Sequence, residues 1–502
     1  MQKAERKGKA ENRENQSKNH QLTNNFLSDK LIGYQNGDMY PFHMPGHKRN
    51  MKEYPFCDSY KIDITEIDGF DNLHEAHGII EKAQERAAFL YGSSETHFLV
   101  NGSTCGILSA VSGSVKKNGK ILMAANSHKS AFHALLLNCC KCEFIYPEIN
   151  EEYEIAGGIH PSDVKKLLQK NPDTQAVFLT SPTYDGMISP VREIAEIVHS
   201  KGIVLIVDEA HGAHFGFYEP FIKAYGMRSS VQEGADIVIQ SVHKTLPSYT
   251  QTALIHINGN LADRERIRRY LKIYQTSSPS YVLLGGIDRC MGILETEGQD
   301  LFIRWEKNIR EFYKIREDLK HIKFLGDEVI GSSGIVGRDV GKFLFSMKNT
   351  TTNGVCMYDI LREKYHIQLE MAAGNYCLAM STFMDTEEGF RRLKEALIEI
   401  DSDLKGIETF HEKFKFLKMS KVYEIYEVQD FKTETALFRE CKGRIAADFI
   451  YVYPPGIPMI VPGEEVDGDL IQSVEYMREQ GLNVIGIEEG KFRILERQDN
   501  GI

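Results

Sequence analysis

Two residues at the ends of apolar runs are placed to do chemistry in this 502-residue chain. Asp208 closes the run GIVLIVDEA (202–210), and Lys244 follows ADIVIQS (235–241) in the tetrad Ser241-Val242-His243-Lys244. A carboxylate and an amine at neighbouring strand ends meet the needs of a pyridoxal phosphate site. The lysine forms a Schiff base with the aldehyde, and the carboxylate keeps the pyridine nitrogen protonated so that the ring accepts electrons. Taken alone the pair is weak, because most such charges belong to surfaces or interfaces. Asn101-Gly102-Ser103-Thr104-Cys105-Gly106 adds to it. This segment follows HFLV and opens ILSAVSG, so its backbone N–H groups and the hydroxyls of Ser103 and Thr104 could hold a phosphate at a helix N-terminus. An ordinary Ser/Thr cap explains the same letters. His128, which follows KILMAA in Asn126-Ser127-His128-Lys129-Ser130, points into the same crevice and could stack on a cofactor ring.

Asp208-Glu209-Ala210-His211 also spells a helicase tetrad, whose acidic pair would hold Mg²⁺ beside a nucleotide. That chemistry requires a G-x-x-x-x-G-K-[ST] loop. The nearest approach, Gly113 to Lys120, spaces its glycines too widely and puts Ile121 where a hydroxyl belongs. The helicase reading fails.

These residues need a scaffold that brings strand ends together. From about 87 to 260, seven apolar runs alternate with stretches of helical period: HFLV (97–100), KILMAA (120–125), EFIYP (143–147), AVFLTSP (176–182), GIVLIVDEA, ADIVIQS and ALIHI (253–257). Ser189, Pro190 and Gly202 mark one helix as cap, first turn and stop. The alternation predicts an α/β fold, a mainly parallel sheet with helices on both faces, whose ligands bind beyond the carboxyl ends of the strands. Residues 261–290 read as helical and basic and lead into the polar turn QTSSPS, with a solvated face the ordinary explanation of RERIRRYLKIY.

Composition narrows the function classes. Sixty basic against 71 acidic side chains, a net charge of −11, argue against nucleic acid as a partner. Runs long enough to span a bilayer are absent from the sequence, and the N-terminus has no apolar signal core, so a cytoplasmic protein is expected. Nine scattered cysteines do not form a secreted disulfide framework. Cys139, Cys140 and Cys142 lack a second pair at metal-ligand spacing and read as buried thiols, so no metal is expected.

Taken together, PFHMPGHK (41–48), NGST (101–104), SHKS (127–130), SPTYDG (181–186), VDEAHG (207–212), SVHK (241–244), and YPPGIP with PGE (453–464) make the chain resemble the Orn/Lys/Arg decarboxylases, fold type I pyridoxal phosphate enzymes. The motifs recur in that family's order from about 30 to 490. The resemblance implies that Lys244 carries the cofactor, Asp208 bonds the pyridinium nitrogen and His128 stacks on the ring, with His211 near ring and substrate. It implies that Ser103, Thr104, Ser241 and His243 surround the phosphate, and that Thr276 and Ser277 reach the phosphate of a neighbouring subunit, which makes a homodimer or higher homo-oligomer the expected assembly. The chain looks like the family's short form, without an N-terminal wing domain. Ser181 stands where many relatives place an asparagine that bonds the cofactor's phenolic oxygen, and Pro247 where a small residue is usual.

The implied reaction is α-decarboxylation of a basic amino acid, arginine ahead of lysine and ornithine, to CO₂ and a di- or polyamine. Lys244 or a nearby histidine would return the proton to Cα. A distal cation calls for outer carboxylates, for which Glu464 and the run 63–71 are candidates, with His43 and His47 as further substrate residues. Two alternatives stand beside this: an aminotransferase or aldolase on the same scaffold, and a silent relative kept as a binding protein. The expected divisions are a flexible polar tail over 1–24, the cofactor-binding large domain with its N-terminal segment over 25–295, a small α/β domain over 296–404 and a C-terminal α+β domain over 405–502.

Overall fold

The structure, a computed structural model, describes residues 36–54, 59–407, 417–453 and 456–497. The segment 1–24, expected to be a flexible tail, lies outside the described residues. Each of the seven apolar runs becomes a strand: β1 (Glu95–Leu99), β2 (Lys120–Ala124), β3 (Lys141–Ile145), β4 (Thr174–Thr180), β5 (Val204–Asp208), β6 (Ile237–Gln240) and β7 (Ala253–Ile257). They form one sheet in the order β1-β7-β6-β5-β4-β2-β3. Neighbours from β6 through β3 are parallel, and β7 runs antiparallel to both β6 and β1. All of β5, β6 and β7 is buried, the cause of their unbroken apolar character.

Helices cover both faces. On one side α1 (Gly102–Ser114), α2 (Lys129–Asn138) and Arg264–Tyr274 pack over a cluster that includes Ile121, Phe178, Ile206 and Ile239. On the other, Pro161–Lys170 and Val191–His199 cover Leu122, Val177, Leu205 and Val238. The expected cap at Ser189 is corrected: the helix is flanked by Pro190, and the Ser189 hydroxyl accepts instead from Ile159 N at 3.0 Å. The basic helix Arg264–Tyr274 turns its charges onto acids, with Arg268 bidentate on Glu95 and Lys272 paired with Glu75.

After the turn at 275–280, the Ser280 hydroxyl accepts from Leu283 N and caps α3 (Tyr281–Tyr313), 33 residues long. The expected division at 295/296 falls inside this helix, which carries the chain into a smaller layer. There β8 (Lys323–Phe324), β9 (Lys342–Ser346), β10 (Met371–Ala373) and β11 (Tyr376–Met380) form an antiparallel sheet in the order β8-β9-β11-β10, backed by α4 (Glu387–Asp403). Tyr40–Phe42 pairs in parallel with Ile367–Leu369, tying the N-terminal segment to this layer.

The C-terminal unit has its own core around Phe438, Ile450, Ile460, Leu470 and Phe492, while Ile425 and Val461 join the core of the large domain. Cys140 and Cys142 are buried there too. Among the described residues no helix is long and apolar enough to cross a membrane, and no cluster of side chains is suited to a metal.

Candidate active site

Sheet register sets the geometry. Thr180 pairs with Asp208 and Asp208 with Ile239, so β4, β5 and β6 end level, and the four-residue helix Val242–Thr245 that follows β6 lifts Lys244 over their carboxyl ends. Asp208 is buried, and its Oδ1 accepts from Ala210 N at 3.1 Å. Lys244 is partly exposed to the crevice. Burial raises the Asp208 carboxyl and lowers the Lys244 amine, and the attraction between the two opposes both shifts. A buried acid and an amine are thus electrostatically coupled at the ends of neighbouring strands.

A helix N-terminus and hydroxyls that could hold a phosphate belong to the same sheet edge. Asn101 precedes α1 but does not cap it; its Oδ1 accepts from Thr276 N at 3.1 Å instead. Gly102, at φ +74°, turns the chain into the helix in a conformation that L side chains rarely adopt. The first amides of α1 thus lack a side-chain cap, and the hydroxyls of Ser103 and Ser241 meet in front of them at 2.5 Å. His243 donates from Nδ1 to the Thr252 carbonyl at 2.8 Å, which leaves Nε2 for another partner. Thr104, Thr276 and Ser277 are exposed at the rim.

His128 is the N-cap of α2: its Nδ1 accepts from Ser130 N at 3.3 Å and meets Ser130 Oγ at 2.8 Å, which fixes the ring. Burial, with Lys244 adding to it, lowers the imidazole to about 3, so it is neutral at physiological pH. Ser181 is buried, and its Oγ accepts from Ser189 N at 3.1 Å, leaving the O–H to donate.

The structure surrounds His211, already singled out in the sequence, with residues that were not. His211 Nε2 lies 3.0 Å from Lys244 Nζ, and its Nδ1 lies 2.9 Å from Nζ of a second lysine, Lys342, at the start of β9. Tyr184 packs edge-on to His211 and donates to Glu370 Oε1 at 2.5 Å, while Glu370 Oε2 accepts from Met44 N at 2.9 Å. Lys48 is buried and donates to the carbonyls of His43 and Met380, fastening the N-terminal motif to the small layer.

That motif supports the site from beneath. Gly46 N donates to His243 O at 2.8 Å, and Gly46 O accepts from Thr382 Oγ1 at 2.7 Å. A Cβ on Gly46 would sit 2.7 Å from the Thr245 carbonyl carbon and 2.8 Å from Leu246 N, next to Lys244. Gly46→Ala is expected to cost about 1–3 kcal/mol and to displace the lysine. Thermal denaturation together with cofactor retention checks this. His43 contacts its neighbour Met44 O at 2.5 Å and His47 Nδ1 accepts from Arg49 N at 3.0 Å; burial lowers both imidazoles. Glu464 turns back on its own loop, accepting from Val461 N at 3.0 Å, and burial raises it to about 7. Its partners are Val461 N and the charge of Lys421, not Lys244 or Asp208.

These groups fit pyridoxal phosphate. An uncapped helix N-terminus and paired hydroxyls suit a phosphate, the amine suits an aldehyde, and the buried acid suits a ring nitrogen. Asn126 Oδ1, beside His128 in sequence, is buried and has no hydrogen-bond partner among the described residues, as expected of a wall that faces a polar guest.

Comparison with known proteins agrees. The family model described as Orn/Lys/Arg decarboxylase, major domain, matches residues 26–368, and that of the C-terminal domain matches 407–483. The arginine decarboxylase of Bacillus subtilis (strain 168) is 31% identical over 466 residues, covering 90% of this chain and 94% of that protein. Among solved structures, the E. coli constitutive lysine decarboxylase aligns at TM-score 0.72 and 17% identity, covering 93% of this chain and 81% of its own. Sphingomonas wittichii serine palmitoyltransferase aligns at TM-score 0.53 and 15% identity, over 73% and 87% of the two chains. The fold is that of the fold type I pyridoxal phosphate enzymes.

Proposed function

The chain belongs to the Orn/Lys/Arg decarboxylase family, and from that premise we propose that it removes the α-carboxylate of a basic amino acid, arginine ahead of lysine and ornithine, with pyridoxal phosphate held between Lys244 and Asp208. The observation that carries this reading is the Lys244 amine electrostatically coupled to the buried Asp208 at level strand ends, with an uncapped helix N-terminus on the same sheet.

When bound, pyridoxal phosphate supplies an electron sink for the bond that breaks at Cα. Around it the protein's work is placement. Ser103, Ser241, His243 and the first amides of α1 hold the phosphate end. Asp208 would hold a proton at the ring nitrogen, a role its buried position strengthens because charge acts further in a poorly solvated space. His128, neutral and fixed by Ser130, would pack on the ring face. Lys244 and His211, 3.0 Å apart, are the groups that deliver a proton to the carbon that lost CO₂. Which bond breaks is a matter of orientation, set by the walls that hold the substrate.

Arginine is preferred because the Bacillus subtilis relative is named an arginine decarboxylase. Glu464, the acidic run 63–71, His43 and His47 are the proposed contacts to substrate. The proposed assembly is a cytoplasmic homodimer in which Thr276 and Ser277 reach the partner's phosphate. A panel of arginine, lysine and ornithine, with CO₂ and amine identified, tests the reaction. Arginine is expected to give the highest kcat/KM. Keto acid without CO₂ would transfer the assignment to an aminotransferase, and a chain that takes no cofactor would make it a silent relative.

A further inference from the structure

Lys342 is the least expected member of the site. It opens the apolar strand β9, yet it is only 1% exposed and its Nζ sits 2.9 Å from His211 Nδ1. Its place is prepared by a close approach: Gly186, at φ +94°, leaves room for the lysine stem, where a Cβ would come within 2.7 Å of Lys342 Cγ. On the other side of the ring, His211 Nε2 lies 3.0 Å from Lys244 Nζ. One imidazole thus bridges two amines.

Hydrogen-bond arithmetic restricts this arrangement. A neutral imidazole has one donor and one acceptor nitrogen, and an ammonium can only donate. Both contacts are satisfied together only when the lysine that faces the ring N–H is a free amine, while the other, charged or not, donates to the bare ring nitrogen. If Lys342 is the cation, it donates to Nδ1, the ring proton is on Nε2, and Nε2–H donates to the lone pair of Lys244. The surroundings favour that state. Lys342 lies 5.4 Å over the Tyr184 ring centroid, a position that stabilises a cation. Asp339, Glu370 and Asp185 all attract it, whereas Lys244 has only Asp208 and Glu370; the repulsion between the two lysines acts on both.

We propose that Lys342 is a positioning residue which, through His211, holds Lys244 as the free amine that cofactor attachment and proton return require. It rests on the reading of Lys244 as the cofactor lysine. Burial lowers the amines of both lysines, Lys342 to about 8, in accord with a single proton shared along the chain.

The test titrates Lys244 in the cofactor-free protein by its rate of trace acetylation against pH, read by peptide mass spectrometry. Lys342→Met removes the cation at nearly constant length and is expected to raise the Lys244 midpoint by at least about one pH unit. Lys342→Arg, which keeps the charge, should hold it within about 0.3 unit of the wild type. A merely structural role would lower thermal stability and leave the midpoint in place. His211→Phe cuts the relay with Lys342 present and should also raise the midpoint. An unmoved midpoint in Lys342→Met, or in His211→Phe should the first variant not fold, overturns the relay. Trapping of pyridoxal phosphate on wild-type Lys244 by borohydride is scored separately, so failure there sinks the cofactor reading, whereas the titration judges the relay.

Discussion

Lys244→Ala is expected to abolish covalent retention of pyridoxal phosphate and to lower turnover by at least about three orders of magnitude. Borohydride treatment of the reconstituted wild type should leave the cofactor on the peptide that contains Lys244, and the variant should carry none. The fold is not at stake, because the side chain lies partly open to the crevice and its amine bonds His211. Thermal denaturation should place the cofactor-free variant at or above the wild type, since an amine whose burial lowers its proton affinity costs stability wherever it must stay charged. Substantial turnover in the variant, or cofactor trapped at another lysine, would show that the chemistry runs elsewhere.

Lys244 and Asp208 were legible in the chain because both sit where an unbroken apolar run stops. A strand buried on both faces leaves no polar alternation, so GIVLIVDEA and ADIVIQS read as strands without help from neighbours, and the polar residue that ends each one is at the ligand-binding edge. The cradle was legible for a related reason, since glycine and hydroxyls between a strand and a helix are a local signal. Lys342 was not. A lysine that opens an apolar strand ordinarily faces water, and this one is buried only because the small layer docks against the turns after β4 and β5. The local sign was the density of charge in Arg338, Asp339 and Lys342 ahead of FLF, more than a strand start needs. Glu370 and Lys48 were hidden in the same way, their partners being Met44 and Tyr184 for the first and His43 and Met380 carbonyls for the second.

The division at 295/296 could not be read because α3 is continuous there, and a helix buried along one side has the same periodicity in either domain. Within 261–290 the polar turn QTSSPS was legible as such, and the structure places it at 275–280, between Arg264–Tyr274 and α3. That turn serves the site: Gln275 Oε1 accepts from Val100 N at 2.9 Å and Thr276 N donates to Asn101, so it holds the loop that opens α1.

The Asp208 carboxylate invites a sharper experiment than deletion, since Asp208→Asn keeps shape and removes charge. The amide oxygen can still accept from Ala210 N, so the strand end and the cofactor should both stay in place. What disappears is the anion opposite the ring nitrogen, and with it the cause for that nitrogen to hold a proton. Charge-assisted partners of this kind are worth a few kcal/mol in a dry site, so kcat is expected to fall about 10²–10³-fold with cofactor stoichiometry unchanged. The cofactor-free state should respond in the opposite direction. Burial holds the Asp208 carboxyl above its ordinary range, and a carboxyl raised on folding costs stability once the pH exceeds its unfolded value. Neutral asparagine relieves that cost, so the cofactor-free variant should melt no lower than the wild type near neutral pH. Turnover close to the wild type would refute the role given to Asp208, and loss of cofactor together with a lower melting temperature would reduce it to a structural residue.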